Sequence, residues 1–511
     1  MQSASRVAIN TGFLYGKMLI TMLISLYSTR LILNALGVVD YGIFNLVGGV
    51  IAMLSFLNGA MTTATQRYMS FSIGAGDNHK LKSIFSSSVL LHLIIGLIIV
   101  LLLEFGGVFL FNGTLNIPAD RIGVAKMVFH FMVVSTFFTI NAVPYDAAIN
   151  AHENFLFEAL SGIFEAVMKL GIAISLIHTE VDKLILYGSL IAGLTILIRI
   201  IKSIYCIRKY EECHVRITSG IDFKLTKEMF SFAGWNLFGS LCSVIRSQGL
   251  AVVLNLFFGI VVNAAYGIAN QVNGQLSSFS TNMVGALYPQ IVKSEGSGDR
   301  ERMLRLAMLA CKLSFFLLSF FAIPIIVEMP FILTIWLKIV PENTVIFCRL
   351  ILVLSLLQQL SVGLMASLIA IGKIKAYQIV VGSLLILNLP LSYGLILIGF
   401  PVYSVFFGSI FLECIALGSR IWFAYKIAGL NVGLFTRGVI FNSILVVILT
   451  TLFAILPRFF LEEGILRAFL TIMTSIISIA LFGKYIALTH DENNKIKGLI
   501  YTFKRNLLLK E

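Results

Sequence analysis

Runs of about twenty apolar residues, broken by almost no charge, constrain this chain more than any other feature. Val89–Leu103, Leu184–Ile198, Leu350–Ile371 and Ile440–Leu456 approach or exceed the length that crosses a bilayer as a helix. A helix satisfies every backbone donor and acceptor within its own segment, which hydrocarbon demands. Composition agrees: hydrophobic residues make up 58% and charged residues 12% of 511, and mean hydropathy is +0.95. A soluble chain of that length would need far more polar surface. The pattern predicts an all-α integral membrane protein with about fourteen spans. Their cores fall at 9–33, 42–66, 84–108, 124–148, 157–178, 184–206, 230–257, 264–289, 308–336, 345–370, 376–398, 402–425, 436–457 and 465–488. Connections are short and leave no room for a folded extramembrane domain. The longest, near Arg208–Lys227, is polar and lies between the sixth and seventh spans. The first span is too long for a cleavable signal, carries Lys17 and lacks a convincing cleavage site.

An internal repeat is nearly hidden in this apolar background. Ser72-Ile-Gly74-Ala-Gly76-Asp77 returns as Ser294-Glu-Gly296-Ser-Gly298-Asp299, a shift of about 222 residues. The same shift takes Gly37 to Gly259 and Gly12 to Gly234, and Asp40-Tyr41-Gly42-Ile43 is echoed, after a small insertion, by Ala265-Tyr266-Gly267-Ile268. Membrane proteins built from two similar halves usually move one against the other around a site at their interface, so the chain reads first as a transporter.

The formal net charge of +13 is distributed with the topology. One set of loops carries Lys80, Lys82, Lys202, Arg208, Lys209, Arg216, Lys224, Lys227, Lys293, Arg300, Arg302, Arg305, Lys373, Lys375, Lys426 and Arg437; the alternate set carries Arg121, Lys126, Lys183, Lys338, Arg458 and Arg467. The positive-inside rule places the first set and both termini in the cytoplasm. In the tail, Ile496, Leu499, Ile500, Phe503 and Leu507 share a helical face with lysines and Arg505 elsewhere, the pattern of a basic helix lying on a membrane. A nucleic-acid reading would need a folded basic face. Catalytic signals are lacking: the six cysteines are scattered without a C-x-x-C pair and the histidines show no ligand spacing. Gly74-Ala-Gly76 lacks the third glycine of a dinucleotide loop, and no Walker A motif occurs. Asn112-Gly113-Thr114 matches a glycosylation sequon that arises often by chance.

Polar residues inside spans are costly and mark pathways. The candidates are Arg30 in the first span, Arg67 ending the second, Glu165 and Lys169 one turn apart in the fifth, Arg246 in the seventh and Glu413 in the twelfth. Arg67 and Arg420 sit near span ends and are expected to snorkel to headgroups, while Glu165 and Lys169 could simply neutralise each other. Arg246 is the deepest, with no other charge between Glu228 and Lys293. The eighth span carries Asn270, Gln271, Asn273, Gln275, Ser277, Ser278, Ser280, Thr281 and Asn282; the second carries Asn45, Asn58, Thr62, Thr63, Thr65 and Gln66. Interhelical hydrogen bonding would absorb a few of these at about 1 kcal/mol each. The density in the eighth span points instead to a wet cavity, where such amides and hydroxyls could bond sugar hydroxyls.

Thr29-Arg30-Leu31 with Leu36-Gly37-Val-Val-Asp40-Tyr41-Gly42-Ile43-Phe44, then Thr65-Gln66-Arg67-Tyr68 and Gly74-Ala-Gly76-Asp77, resembles the signature of polysaccharide-export proteins. The chain is similar to bacterial O-antigen flippases of the multidrug/oligosaccharidyl-lipid/polysaccharide (MOP) exporter superfamily. The resemblance implies two pseudo-symmetric six-helix lobes around a cavity faced by spans 1, 2, 7 and 8, with two further C-terminal helices. The corresponding division is 1–213 and 229–430 for the lobes, 214–228 for a cytoplasmic linker, 431–490 for spans 13 and 14, and 491–511 for the tail. It also implies alternating-access export of undecaprenyl-diphosphate-linked oligosaccharide across a bacterial inner membrane, driven by a proton or sodium gradient and without a bound cofactor. Membrane lipids, a polysaccharide polymerase and chain-length proteins are the implied partners. In that frame Arg30, Arg67, Lys169 and Arg246 are the candidate cations for a pyrophosphate, and Asn58, Asn270, Gln271, Asn273 and Gln275 the candidate lining. Asp40, Glu165 and Glu413 are the candidate ion-coupling carboxylates. A drug/cation antiporter would want acids at the cavity centre, and a membrane glycosyltransferase or polymerase would want a substantial outer loop, which is missing.

Overall fold

The computed structural model describes residues 3–52, 55–111, 117–214, 222–337 and 340–487. The basic tail at 491–511 and the Asn112–Thr114 sequon lie outside them. The described residues form helices and connecting turns without a strand. In chain order the helices are α1 Ser3–Ala52, α2 Ser55–Ala75, α3 Asn78–Phe109, α4 Ile122–Asn141, α5 Val143–Ala151, α6 Phe155–Ser175, α7 Lys183–Lys209 and α8 Phe223–Gly296. They continue with α9 Arg300–Val327, α10 Met329–Leu337, α11 Thr344–Gln359, α12 Val362–Ile371, α13 Lys375–Leu397 and α14 Ser404–Phe423. The last are α15 Val432–Phe435, α16 Asn442–Ile455, α17 Pro457–Phe460 and α18 Ile465–Phe482.

Eleven of the described helical segments are long and apolar enough to cross a membrane, and α11 with α12, bent by 42°, make a twelfth. Residues 42–52 and 55–66 of the expected second span and the expected span at 264–289 are helical as well, but their polar residues keep them below the hydropathy of the rest. The architecture is thus an all-α, multi-pass membrane protein consistent with fourteen spans. Leu101, Leu102, Phe105 and Phe109 on α3 and Phe459 and Phe460 on α17 are more than half exposed. Such contiguous apolar surface suits lipid and would be a liability in water.

The chain divides into two compact units, residues 10–237 and residues 238–511 with 1–9. In the first, α3 packs on α4, α4 on α7 and α6 on α7. Val47, Val128, Phe129, Leu184 and Ile198 form its core. In the second, the same order recurs: α9 packs on α11 and α12, α11 on α14 and α13 on α14. Leu254, Leu318, Phe347 and Phe406 are central there. The two C-terminal spans rest on α9 through Ile323, Val446, Ala454 and Ile479.

The repeat seen in sequence is a repeat of backbone geometry. Gly37 (φ 76°) and Gly259 (φ 77°) both adopt left-handed φ inside otherwise continuous helix, breaking α1 and α8 at corresponding points. Gly76 (φ 72°) and Gly298 (φ 79°) end α2 and α8 with the paired bonds of a Schellman cap. Asp77 N–H donates to Ser72 O at 3.1 Å and Gly76 N–H to Ile73 O at 3.2 Å; the second copy has Asp299 to Ser294 O at 2.9 Å and Gly298 to Glu295 O at 3.0 Å. Each aspartate then caps the next helix, accepting from Lys80 N–H at 2.9 Å and from Arg302 N–H at 2.9 Å. A Gly-Asp pair thus stops one helix and starts the next within two residues.

Candidate functional site

On α8 the residues Gly267, Asn270, Gln271, Gly274, Gln275, Thr281 and Gly285 are exposed. Their spacing of three and four places them on one face. The opposite side, with Ala265, Tyr266, Ala269, Leu276 and Ser280, is buried. Asn273 lies off this face and serves packing, its Oδ1 accepting from Ser355 Oγ at 2.6 Å and Ser277 Oγ at 3.2 Å. Asn270 donates to Tyr266 O at 3.1 Å, while Tyr266 donates from its hydroxyl to Ser247 O at 3.2 Å. The second of these bonds ties the start of the polar face to Ser247, the residue next to Arg246.

The first unit carries a shorter copy. Gly42, Asn45, Leu46 and Gly49 of α1 are exposed at the same three-four spacing. Gly42-Ile-Phe-Asn45-Leu46-Val-Gly-Gly49 aligns with Gly267-Ile-Ala-Asn270-Gln271-Val-Asn-Gly274, so the repeat runs further than the Tyr-Gly-Ile echo. Asn58 is half-buried, and its Oδ1 has no hydrogen-bond partner among the described residues.

In the second unit Arg246, Glu413 and Arg420 form a charge triad. Arg420 Nη1 reaches Glu413 Oε1 at 2.5 Å and Ser361 Oγ at 3.1 Å. Arg246 Nη1 reaches the other carboxylate oxygen at 3.2 Å, and Gln358 Nε2 approaches that oxygen at 3.4 Å. Glu413 is buried at 1% side-chain exposure and Arg420 at 8%, against 19% for Arg246. Ser361 and Gln358 belong to the bend between α11 and α12, so the triad sits where that span is broken. The expectation that Arg420 snorkels is corrected: a partner carboxylate within the protein draws it inward. Arg67 is likewise buried at 9%, its guanidinium 4.6 Å from the Tyr68 ring centre, 5.2 Å from Phe71 and 5.4 Å from Phe232. Aromatic faces compensate this cation in place of headgroups.

The first unit holds a network that sequence reasoning missed. Lys202, 7% exposed, reaches Glu158 Oε2 at 2.7 Å and Asp146 Oδ1 at 2.9 Å. Lys17 reaches Glu158 Oε1 at 3.0 Å and Arg199 reaches Asp146 Oδ2 at 3.3 Å. Gly162 makes room for Lys17, because a Cβ there would lie 2.3 Å from Lys17 Cε. Lys202 is thus part of the interior and not a solvated loop charge. Asp146 and Glu158 were the available signal: acids next to apolar spans must find bases when buried.

The remaining candidates are distributed. Glu165 and Lys169 pair with each other at 2.7 Å, the one-turn contact that their spacing allows. Arg30 is exposed on α1. Asp40 is engaged by Arg121, which donates from Nε to Oδ1 at 2.9 Å and from Nη2 to Oδ2 at 2.5 Å. The same guanidinium donates to Asp182 at 2.6 Å. Partial burial raises the Asp182 carboxyl, but Arg121 and the backbone N–H groups of Ile185 and Leu184 outweigh it and hold the group below the ordinary carboxylate range.

A model of the family described as polysaccharide biosynthesis protein matches residues 7–295, more than half of the chain. EpsK of Bacillus subtilis (strain 168), described as an uncharacterized membrane protein, is 21% identical over 307 residues. The match covers 59% of this chain, and the chain spans 59% of the length of that curated relative. An outward-facing multidrug resistance MATE family transporter of the MOP superfamily superposes with a TM-score of 0.72 at 13% identity, covering 84% of this chain and 96% of that one. A MOP superfamily transporter from Pyrococcus furiosus, noted for a binding pocket of reverse polarity that suggests a different function, gives 0.68 at 13% identity over 86% and 99%. At these identities the structural likeness is one of fold. The chain belongs to the polysaccharide biosynthesis protein family, on the fold of the MOP transporters.

Proposed function

We propose that this chain is a flippase for lipid-linked oligosaccharide, moving the glycan head of an undecaprenyl-diphosphate-linked substrate of O-antigen type from the cytoplasmic to the periplasmic leaflet by alternating access. The observation that carries the reading is the exposed glycine-and-amide face of α8 with its shorter copy on α1. Amides there offer donors and acceptors to sugar hydroxyls, and the glycines let a bulky ring approach the backbone. The membrane is the bacterial inner membrane, with both termini in the cytoplasm by the lysine and arginine distribution. The lipid tail stays in the bilayer, and a polymerase and chain-length proteins take the product. Family membership supports a role in polysaccharide assembly, and no chemical step is required of the chain itself.

The triad of Arg246, Glu413 and Arg420 sets two cations against one anion, and the network of Lys17, Arg199, Lys202, Asp146 and Glu158 sets three against two. An anionic diphosphate suits such surplus-cation clusters better than a cationic drug does. The MATE-like fold favours a multidrug/cation antiporter as the second reading. The test is transport of a defined lipid-linked oligosaccharide by the purified chain in proteoliposomes, with and without a proton or sodium gradient. Appearance of glycan in the opposite leaflet is expected. Gradient-driven movement of organic cations with a stationary glycolipid would establish the antiporter instead. Coupling through Asp40, Glu165 or Glu413 requires each to release the cation it now holds; if all three neutral variants keep full gradient-driven transport, coupling lies elsewhere.

A further inference from the structure

Two guanidiniums share one buried carboxylate in the second unit, and they share it unequally. Arg420 is the closer and deeper partner, fixed further by Ser361. Arg246 is the longer and more exposed partner. Among the described residues its hydrogen bond to Glu413 is its side-chain hydrogen bond, so most of its N–H donors are unengaged. Gln358 sits on the same oxygen as Arg246 and can hold that oxygen when the guanidinium leaves.

We infer that Arg420 is a positioning residue: by neutralising Glu413, it leaves Arg246 as an exchangeable cation that swings from the carboxylate to a diphosphate oxygen. The inference rests on the flippase reading and adds the device that keeps the anion-binding arm available. Without Arg420, Glu413 has a full charge for Arg246 alone, and the tighter pair would withhold the guanidinium from any ligand. Without both Glu413 and Arg420, Arg246 returns to being a lone cation with the same net charge as the intact triad. Formal charge makes the logic explicit: the triad carries +1, Arg420→Gln leaves zero, Glu413→Gln leaves +2, and the double variant leaves +1. Arg246 also lies beside the start of the α8 amide face, where a glycan attached to that diphosphate would begin.

The experiment is equilibrium binding of a short prenyl diphosphate to the full chain purified in detergent, with the matching prenyl alcohol as control. Arg246→Ala should abolish diphosphate-dependent binding. Arg420→Gln, which leaves Arg246 in place, should weaken it by at least about tenfold, or 1.4 kcal/mol. Glu413→Gln should tighten it, and Glu413→Gln with Arg420→Gln should return to near the unaltered affinity. A purely structural Arg420–Glu413 pair would also recover in the double variant, so the tightening in Glu413→Gln, which a structural pair does not produce, is the result that separates the two. Unchanged affinity in Arg420→Gln, or failure of the double variant to recover, overturns the inference while sparing Arg246. Unchanged affinity in Arg246→Ala, or equal binding of the alcohol, overturns the anion-binding reading beneath it. Should Arg420→Gln fail to fold, Glu413→Gln alone decides, since an affinity that does not rise sinks the inference.

Discussion

Single glycines in this chain do different jobs, and the differences predict different costs. A Cβ at Gly363 would lie 1.9 Å from the backbone oxygen of Ala307 and 3.0 Å from Cys311 Sγ. Backbone cannot move aside cheaply, so Gly363→Ala should lower stability by about 1–3 kcal/mol or more, read as a fall in melting temperature in detergent. At Gly162 the obstacle is the flexible end of Lys17. Gly162→Ala should therefore cost less, displacing Lys17 from Glu158; a fall as large as that of Gly363→Ala would refute the distinction. Gly37 and Gly259 have open space around a hypothetical Cβ, leaving left-handed φ as the only obstacle. With ψ at about 180° as well, a conformation essentially confined to glycine, alanine at either should cost about 1–3 kcal/mol of backbone strain. The sequence marked Gly37 and Gly259 through the repeat, but nothing in it distinguished Gly363 from its apolar neighbours.

Between elements, Arg121 ties α1 to the connections that precede α4 and α7 by bonding Asp40 and Asp182 at once. Arg121→Ala would leave two carboxylates facing each other and should cost about 1–3 kcal/mol. The second unit lacks this clamp, since Ala265, fully buried, stands where Asp40 does in the repeat. The pKa of Asp182 is lower in the folded chain than its ordinary value, so its contribution is complete above about pH 4 and is lost as pH falls through the depressed value. Melting temperature should drop on acidification below about pH 4. Asp182→Asn should lower it at neutral pH and blunt that acid drop. An undiminished acid drop in Asp182→Asn would assign it to other carboxylates. Asp40 reads in sequence as a signature acid at a cavity mouth; its engagement with a residue eighty-one positions away follows from how α1 and α4 pack, which no local pattern encodes.

For the whole molecule, the exposed amide face is the feature that export should depend on. Gly274→Leu adds an apolar side chain to a face where nothing lies within 4 Å of the new Cβ. Folding and insertion should survive while glycolipid transport in proteoliposomes falls sharply, and normal transport would remove α8 from the pathway. Asn270→Ala should lower transport only a few-fold, in line with about 1 kcal/mol for one hydrogen bond. Arg246→Ala should insert normally and fail to export, with Arg246→Lys intermediate because it keeps the charge and loses the planar fork. Restored export on adding Glu413→Gln to Arg246→Ala would make the pair structural instead.

The sequence by itself determined the membrane class, the approximate placing of the apolar spans and the twofold repeat with its paired glycine breaks. Hydrophobic length, left-handed φ and helix caps are local properties, written in consecutive residues. Apart from Glu165 with Lys169, whose one-turn spacing already allows their pair, only the tertiary structure decided which charges are paired. Arg420 and Arg67 looked like surface cations from their place near span ends, yet Glu413 and a set of aromatic rings hold them inside. Lys202 looked like a topology signal, yet Asp146 and Glu158 surround it. Burying a cation is unfavourable until a partner is placed within a few ångströms, and that placement comes from packing helices distant in the chain.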